Sequence, residues 1–418
     1  MRLLFTTFPS PSHLYPMVPM MWACRAAGHE VLVASTTELV PAMRETGVAA
    51  ADAGPDRDLA DTIHSPRLAT WHEQSRWPVD WPLHPEVLDG DQLALLANLG
   101  RRQALTAESM LDGLIGVATD FRPDVVVHDA VSYAGPVVAA VCGVPNISHL
   151  WGSPGLQRLE MVELGEKPQD AYAALFDKYD VPPRIWPTGW LDPCPPPMAL
   201  RSDAAGYLPV RYVPYNGPGV LPADLAVHHD RRVCVTWGAT TAKLMGGSMA
   251  GLFRMSVEAA AAVDGAEVVV ATTAAQRELL GTLPERVRVV ESVPLHQLLP
   301  YCGAIIHHGG AGSTVTAAVH GRPQLIITRR PEPTLNGSRL ARTGAGRHLT
   351  HDEVPEGPDG VRTLRDHVSA LLDDPGYATA ARRLAESIAA QPAPSAVLPA
   401  LEDLVARHTS SGGPDNAR

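Results

Sequence analysis

The 418-residue sequence has no CxxC pair, no apolar stretch long enough to span a membrane, and no block of three or more Lys or Arg. With a net charge of −11, the missing basic block removes the electrostatic footprint of a protein that binds nucleic acid or an anionic membrane. A small-molecule partner is the default that remains. The five cysteines, Cys24, Cys142, Cys194, Cys234 and Cys302, lie far apart and mostly inside apolar runs. That pattern reads as reduced, buried thiols and excludes a disulfide framework, so a cytoplasmic location is expected. The N-terminus has one positive charge and too few apolar residues before Pro9 for a signal peptide. A Walker A lysine and the GxGxxG spacing are both missing from the most glycine-rich turn, which disfavours a nucleoside triphosphatase or a dinucleotide site.

Apolar residues make up 45% of the chain, enough for two cores of about 200 residues each. The opening reads βαβαβ: a strand from Arg2 to Phe8, a helix from Leu14 to Ala27 closed by Gly28, a strand from Glu30 to Ala34, a helix from Leu39 to Glu45 and a strand from Val48 to Ala51. That order implies parallel strands with right-handed crossovers. From Asp52 to Gly100 the periodicity breaks, in a segment holding Trp71, Trp77 and Trp81. So long an irregular stretch in a compact domain marks function or partner binding. Alternation resumes with a helix over Arg101 to Thr119, a strand over Asp124 to His128, a helix over Tyr133 to Cys142 and a strand over Val144 to Leu150. One helix, Asp170 to Tyr179, and a proline-rich passage between Pro182 and Pro222 follow. Regular α/β restarts at Val233 and runs through strands ending near Trp237, Ala271, Val290, Ile306 and Thr328, with helices at Ser248 to Val263, Asn336 to Thr343 and three more after residue 360. The fold class is α/β, with two Rossmann-like doubly wound domains facing across a cleft.

Two places carry chemistry. His307-His308-Gly309-Gly310-Ala311-Gly312-Ser313-Thr314 joins a buried strand to a helix. Its glycines allow positive φ and close backbone approach, the helix start offers unpaired N–H groups, and the hydroxyls and imidazoles add donors, which together suit a phosphate. A glycine-rich connection with ordinary caps would show the same spacing. At strand ends of the first half stand His13, in the turn after the first strand, and Asp129, after DVVVH. A neutral imidazole held by a carboxylate on one nitrogen can take a proton on the other, which is general-base chemistry. Taken singly, His13 is equally a turn residue and Asp129 a helix cap.

Together these residues resemble a glycosyltransferase of the two-Rossmann-domain (GT-B) type. Ser12-His13-Leu14-Tyr15-Pro16 resembles the family's catalytic-histidine motif, His128-Asp129 its dyad aspartate, RYVPYNG (211–217) its interdomain passage, and Val293 to Ser313 its donor-binding motif. The narrower likeness is to actinobacterial enzymes that move deoxysugars from thymidine-diphosphate (TDP) donors onto macrolide or anthracycline polyketides. The resemblance implies that His13 deprotonates an aglycone hydroxyl, Asp129 steadies the imidazolium, and the anomeric centre inverts. His308, Gly310, Gly312 and Ser313 would hold the diphosphate, Val293 and Leu295 the nucleobase, and Thr240 would stand in for a hydroxyl that relatives carry where this chain has Ala239. Many relatives place Asp-Gln where this chain has Glu332-Pro333, so Glu332 is the sugar-binding candidate and a sugar poor in hydroxyls the expectation.

Trp77, Trp81 and Trp151 are candidates to wall a flat apolar acceptor, with core packing the competing reading. His149 and His296 read as structural. No metal and no cofactor are implied beyond the TDP-sugar co-substrate. The partners expected are that donor and a hydrophobic aglycone, with no nucleic acid and no membrane span. Leu150-Trp151-Gly152 and RYVPYNG point to the relatives that need a cytochrome-P450-like activator protein, and a homodimer is left open. The resemblance assigns residues 1–215 to an acceptor domain, 216–226 to a linker, 227–394 to a nucleotide-sugar domain, and 395–418 to a helix that packs back on the first domain and ends in a disordered tail. An inactive helper of the same fold and a sugar-nucleotide epimerase stay open as alternatives.

Overall fold

In the computed structural model, which describes residues 1–57, 71, 74, 76–165, 167–200, 206–238 and 250–410, the chain builds two parallel sheets. The first contains β1 (Arg2–Thr6), β2 (Glu30–Ser35), β3 (Ala49–Asp52), β4 (Val125–Asp129), β5 (Asn146–His149), β6 (Gly189–Asp192) and β7 (Tyr207–Pro209), in the order β3-β2-β1-β4-β5-β6-β7. The second contains β8 (Arg232–Thr236), β9 (Glu267–Thr272), β10 (Val287–Glu291), β11 (Ala304–His307), β12 (Gln324–Thr328) and β13 (Gly346–Thr350), in the order β10-β9-β8-β11-β12-β13. Helices α1 (Pro11–Leu14), α2 (Val18–Ala26), α3 (Val40–Glu45), α4 (Gly90–Phe121), α5 (Ala134–Cys142) and α6 (Asp170–Asp177) flank the first sheet. Helices α7 (Ala250–Ala261), α8 (Ala274–Leu280), α9 (Leu295–Leu298), α10 (Ala311–Val319), α11 (Pro331–Arg342), α12 (Gly357–Asp373) and α13 (Pro375–Ala389) serve the second, and α14 (Pro394–Ser410) follows. Among the described residues no helix is long and apolar enough to cross a membrane.

The strands are nearly continuous apolar runs because both sheet faces are covered. Leu4 and Val126 point into one core, while their neighbours Leu3, Phe5, Val125 and Val127 point into the other, the two-residue alternation of a strand. In each sheet the strand order reverses once beside its first strand, between β1 and β4 and between β8 and β11. At such a switch point the crossovers leave in opposite directions and open a crevice at the carboxyl ends of the strands. His13 and Asp129 follow β1 and end β4; Gly238 and His308 follow β8 and β11. The topology thus puts each set of candidate residues at its own sheet's crevice.

Several elements differ from the expectation. Helix α4 begins at Gly90, well ahead of Arg101, because Asp89 and Gln92 form a capping box: Gln92 N donates to Asp89 Oδ1 at 2.8 Å and Asp89 N to Gln92 Oε1 at 3.0 Å. From there Leu95, Leu96, Leu99, Ala107, Met110, Leu111, Leu114 and Ala118 bury one face, each leucine contributing about 2 kcal/mol. The helix ends where Arg122 turns left-handed (φ 53), immediately before Pro123. Strands β6, β7 and β13 were not expected, and α11 starts at Pro331 rather than Asn336. Proline is favoured in a helix's first turn, where its missing N–H breaks no bond. The expected start of α7 at Ser248 lies outside the described residues.

The last helix leaves the second domain. Val397, Leu398, Leu401, Leu404 and Val405 of α14 join Leu3, Phe5, Met17 and Met20 in one core of the first domain, and His29 Nε2 meets Glu402 at 3.0 Å. Residues 411–418, expected as a tail, lie outside the described residues. Between the domains, Asn216 accepts from His296 N at 2.9 Å and donates its own N–H to His296 Nδ1 at 3.2 Å. Its side-chain amide reaches Thr316 Oγ1 at 3.3 Å. His296 is therefore an anchor for the linker, and His149, buried with Nδ1 2.8 Å from Leu150 O, is likewise structural.

Candidate active site

Asp129 is fully buried, and four donors converge on its carboxylate. His13 Nδ1 stands 3.1 Å and Trp151 Nε1 2.8 Å from Oδ1, Val131 N is 3.3 Å from the same oxygen, and Phe8 N is 2.9 Å from Oδ2. Burial alone would push this carboxyl's pKa up. The charge and hydrogen bond of His13 and the N–H groups of Phe8 and Val131 outweigh it and hold the group below the usual carboxylate range. An ionised carboxylate can only accept, so His13 donates through Nδ1–H, and in the neutral ring the lone pair lies on Nε2. Phe8 and Trp151 fix the ring from two sides, each with its centroid 5.1 Å from the imidazole. The arrangement can accept one proton at Nε2 and stabilise the resulting cation.

Trp151 thus sits at the dyad, as a donor to Asp129 as well as a wall. Trp77 and Trp81 do not line an open surface. Both are buried, edge to face with each other at 5.2 Å, and Trp77 meets Trp71 at 5.6 Å in the core shared with α4. Large flat side chains packed on a helix supply apolar area to a core, so the burial of these two accords with the core-packing reading that competes with the acceptor wall.

In the second domain, α10 has Gly310 as its N-cap, with no side-chain cap, which leaves the first-turn N–H groups to point into the turn. His308 is buried and among the described residues its Nδ1 has no hydrogen-bond partner. Burial and the positive charge of Arg330 hold its pKa far below the ordinary value, so the ring stays neutral and can donate one N–H. Gly238 and Gly310 close on this ring: a Cβ at 238 would lie 2.5 Å from His308 Cε1, and one at 310 would lie 2.7 Å from Nε2. Gly238 also has φ +65, a conformation that costs any residue with a Cβ. Gly312 faces more open space, its nearest neighbour being the Tyr212 hydroxyl at 3.9 Å. His307 closes the strand, bonded to Gln324 Oε1 at 2.9 Å and to Gly309 N at 3.1 Å. Val293 and Leu295 flank the turn between β10 and α9, half-buried on a core patch. Thr240 lies outside the described residues.

Glu332 joins the two halves. Its Oε1 accepts from Ser153 Oγ of the first domain and from Asn336 Nδ2, both at 2.8 Å, and Asn336 Nδ2 also reaches Gly309 O at 2.8 Å. A path of hydrogen bonds therefore runs from beside Trp151 to the glycine turn. Sequence reasoning missed Ser153 and Asn336. The four-residue spacing of Glu332 and Asn336 on a helix was the available signal for the latter.

Residues 22–238 match the N-terminal domain, and residues 254–404 the C-terminal domain, described as erythromycin biosynthesis protein CIII-like. The chain belongs to this family. It is 33% identical to the aclacinomycin-T 2-deoxy-L-fucose transferase of Streptomyces galilaeus, over 99% of this chain and 98% of the relative. It is 34% identical to the 10-deoxymethynolide desosaminyltransferase of Streptomyces venezuelae, over 98% of both. Among solved structures it resembles the spinosyn rhamnosyltransferase SpnG complexed with thymidine diphosphate, with a TM-score of 0.77 and 30% identity over 96% of this chain and all of the other. The glycosyltransferase VinC in complex with dTDP also gives a TM-score of 0.77, with 30% identity over 97% of this chain and all of the other. This member of the CIII-like family is a nucleotide-sugar glycosyltransferase of the GT-B architecture.

Proposed function

We propose that this glycosyltransferase transfers a deoxysugar from a TDP-sugar to a hydroxyl of a polyketide-type aglycone, with His13 as general base and inversion at the anomeric carbon. One observation carries the reading. An imidazole held through Nδ1 by a buried carboxylate stands at one switch point beside Trp151, and two residues further on Ser153 begins a hydrogen-bond path through Glu332 and Asn336 to the glycine turn at the other. This path supports a base held in a set position relative to a diphosphate in that turn.

In the reaction, Nε2 of His13 takes the hydroxyl proton as the acceptor oxygen forms its bond to C1. The bond from C1 to the diphosphate oxygen breaks on the opposite face, so a single displacement inverts the centre. Asp129 offsets the imidazolium charge. The N–H groups at the start of α10, with His308 and Ser313, receive the charge growing on the diphosphate, and Val293 and Leu295 border the nucleobase. Glu332 already gives one oxygen to Ser153 and Asn336, and Pro333 has no N–H, so few groups remain to satisfy sugar hydroxyls. Buried polar groups without partners penalise binding, which favours a deoxysugar. The relatives' names agree, since they include a 2-deoxy-L-fucose transferase and a desosaminyltransferase.

The test is transfer by the purified protein from a panel of TDP-deoxysugars to polyketide aglycones, with and without a candidate activator protein, and NMR of the product. A product whose anomeric configuration is opposite to that of the donor is expected. Retention would remove the single-displacement mechanism, and sugar scrambling without an acceptor would replace transfer by epimerisation.

A further inference from the structure

Helix α11 belongs to the second domain, yet it is bonded to the first at two points. At its start Glu332 accepts from Ser153 Oγ at 2.8 Å. Further along, Arg339 Nε donates to Met198 O at 2.8 Å and Nη2 to Ala199 O at 3.0 Å. Both carbonyls lie in the passage between β6 and β7 of the first sheet. Glu332, Asn336 and Arg339 share one face of α11, with the outer two about 10 Å apart along its axis. The two anchor points are themselves joined, because Leu200 N donates to Pro154 O at 2.6 Å. A closed circuit results, from Arg339 through Ala199, Leu200, Pro154 and Ser153 to Glu332 and back along the helix. Met198 is fully buried and packs in one core with Val315 of α10, Ile326 of β12 and Leu340 of α11, so this passage is seated in the second domain as well as bonded to it.

The circuit has the dyad on one side and the glycine turn on the other. Trp151 donates to Asp129. The next residue, Gly152, has φ +92 and comes so close to α10 that a Cβ would lie 3.1 Å from Val315 Cγ2, and Ser153 then meets Glu332. In the second domain Asn336 donates to Gly309 O at 2.8 Å, and a Cβ on Gly309 would lie 3.0 Å from Pro333 O. The start of α11 is therefore packed on the glycine turn and moves with it. A guanidinium that gives two N–H groups to adjacent carbonyls fixes orientation as well as distance, which a single ammonium does not.

We infer that Arg339 is a positioning residue for sugar transfer: by docking α11 on Met198 and Ala199, it sets the separation between the His13–Asp129 dyad and the glycine turn. The inference rests on the glycosyl-transfer reading. Without the guanidinium, Glu332 alone ties α11 to the first domain, and the helix can swing about that point. The acceptor oxygen and the anomeric carbon then lose their alignment, although each substrate keeps its own site. Misplacing two reacting groups costs rate rather than affinity.

The test compares the full-length wild type with Arg339→Met, Arg339→Lys, Ser153→Ala and the double variant of Arg339→Met with Ser153→Ala. Single-turnover transfer from a TDP-deoxysugar to a polyketide aglycone is measured beside calorimetric TDP affinity, the urea midpoint and hydrogen exchange at the Leu200 amide. Arg339→Met should slow transfer at least ~tenfold and speed exchange at Leu200 by a similar factor, while TDP affinity changes by less than ~threefold. The double variant should lose less than the product of the two single losses, because both bonds hold one contact. Arg339→Lys keeps the charge and one bond, so its transfer should fall between wild type and Arg339→Met at unchanged TDP affinity, and it carries the comparison if the Met variant does not fold. Transfer within ~threefold of wild type in Arg339→Met, whatever the urea midpoint, would make the residue a stabiliser only and overturn the proposal. An equal loss of TDP affinity and rate would give Arg339 to donor binding and overturn it as well. A wild type that transfers no sugar would instead sink the glycosyl-transfer reading, so the two failures are distinct.

Discussion

Asp129 holds the His13 ring and the Trp151 indole through Oδ1 and the Phe8 backbone through Oδ2, and that makes its neighbours sensitive test positions. Trp151→Phe keeps an aromatic wall beside His13 but deletes the 2.8 Å bond to Asp129. The lost bond to a charged acceptor is worth roughly 2 kcal/mol, so kcat should fall ~tenfold or more while calorimetric affinity for TDP stays unchanged. A drop in TDP affinity instead would mean that Trp151 acts on the donor side. In the other domain Gly238→Ala forces a Cβ to within 2.5 Å of the His308 ring at a φ of +65. TDP binding should weaken at least ~tenfold with the dyad untouched. His13, Asp129 and His308 were legible in the sequence because each follows a recognisable strand and the glycine spacing is local. Ser153 and Asn336 were not, since their roles depend on which residues of the other domain they meet, or on the glycine turn. Trp77 and Trp81 show the same limit: composition reveals an aromatic cluster but not which way it faces.

At the scale of elements, the parallel strands were readable from their apolar runs, and the exceptions have physical causes. Strand β13, GRHLT, has little apolar signal because it is a sheet edge, and β7 holds only Tyr207–Pro209 at the corresponding edge of the first sheet. Helix α4 extends further than its apolar spacing suggested because a capping box fixes its start. Removing that cap with Asp89→Ala should destabilise the first domain by about 1 kcal/mol, read as a lower urea midpoint with an unchanged slope. Helix α14 poses a sharper case. Leu401 is fully buried in the first domain's core, although it lies beyond the second domain in the chain. Leu401→Ala should cost the first domain about 2–5 kcal/mol, detected as earlier loss of hydrogen-exchange protection in β1 and α2 while the second sheet keeps its own. Simultaneous loss in both sheets would mean that the domains unfold as one unit.

Across the whole molecule, buried histidines tie stability to pH. Burial holds His128, His149 and His307 at pKa values of about 4, below the value of about 6.5 in the unfolded chain. Between those limits the unfolded state binds more protons, so stability is full above about pH 6.5 and falls as pH drops toward 4. Each of the three should give up about 1 kcal/mol between pH 7 and pH 5.5, so the urea-derived unfolding free energy should fall by a few kcal/mol over that window. A flat profile would contradict the burial. Asp129 works in the opposite part of the scale. Its lowered pKa contributes stability above the ordinary carboxylate range, and that contribution disappears only in stronger acid. On the proposed mechanism, the two sheets, their crevices and the hydrogen-bonded path from Ser153 to the glycine turn place one proton acceptor against one leaving group. The most direct measurement of that claim is single-turnover sugar transfer by His13→Gln beside calorimetric binding of TDP. Transfer should fall by about 10²–10⁴-fold with TDP affinity unchanged, whereas transfer at the wild-type rate would contradict the assignment of His13 as the base.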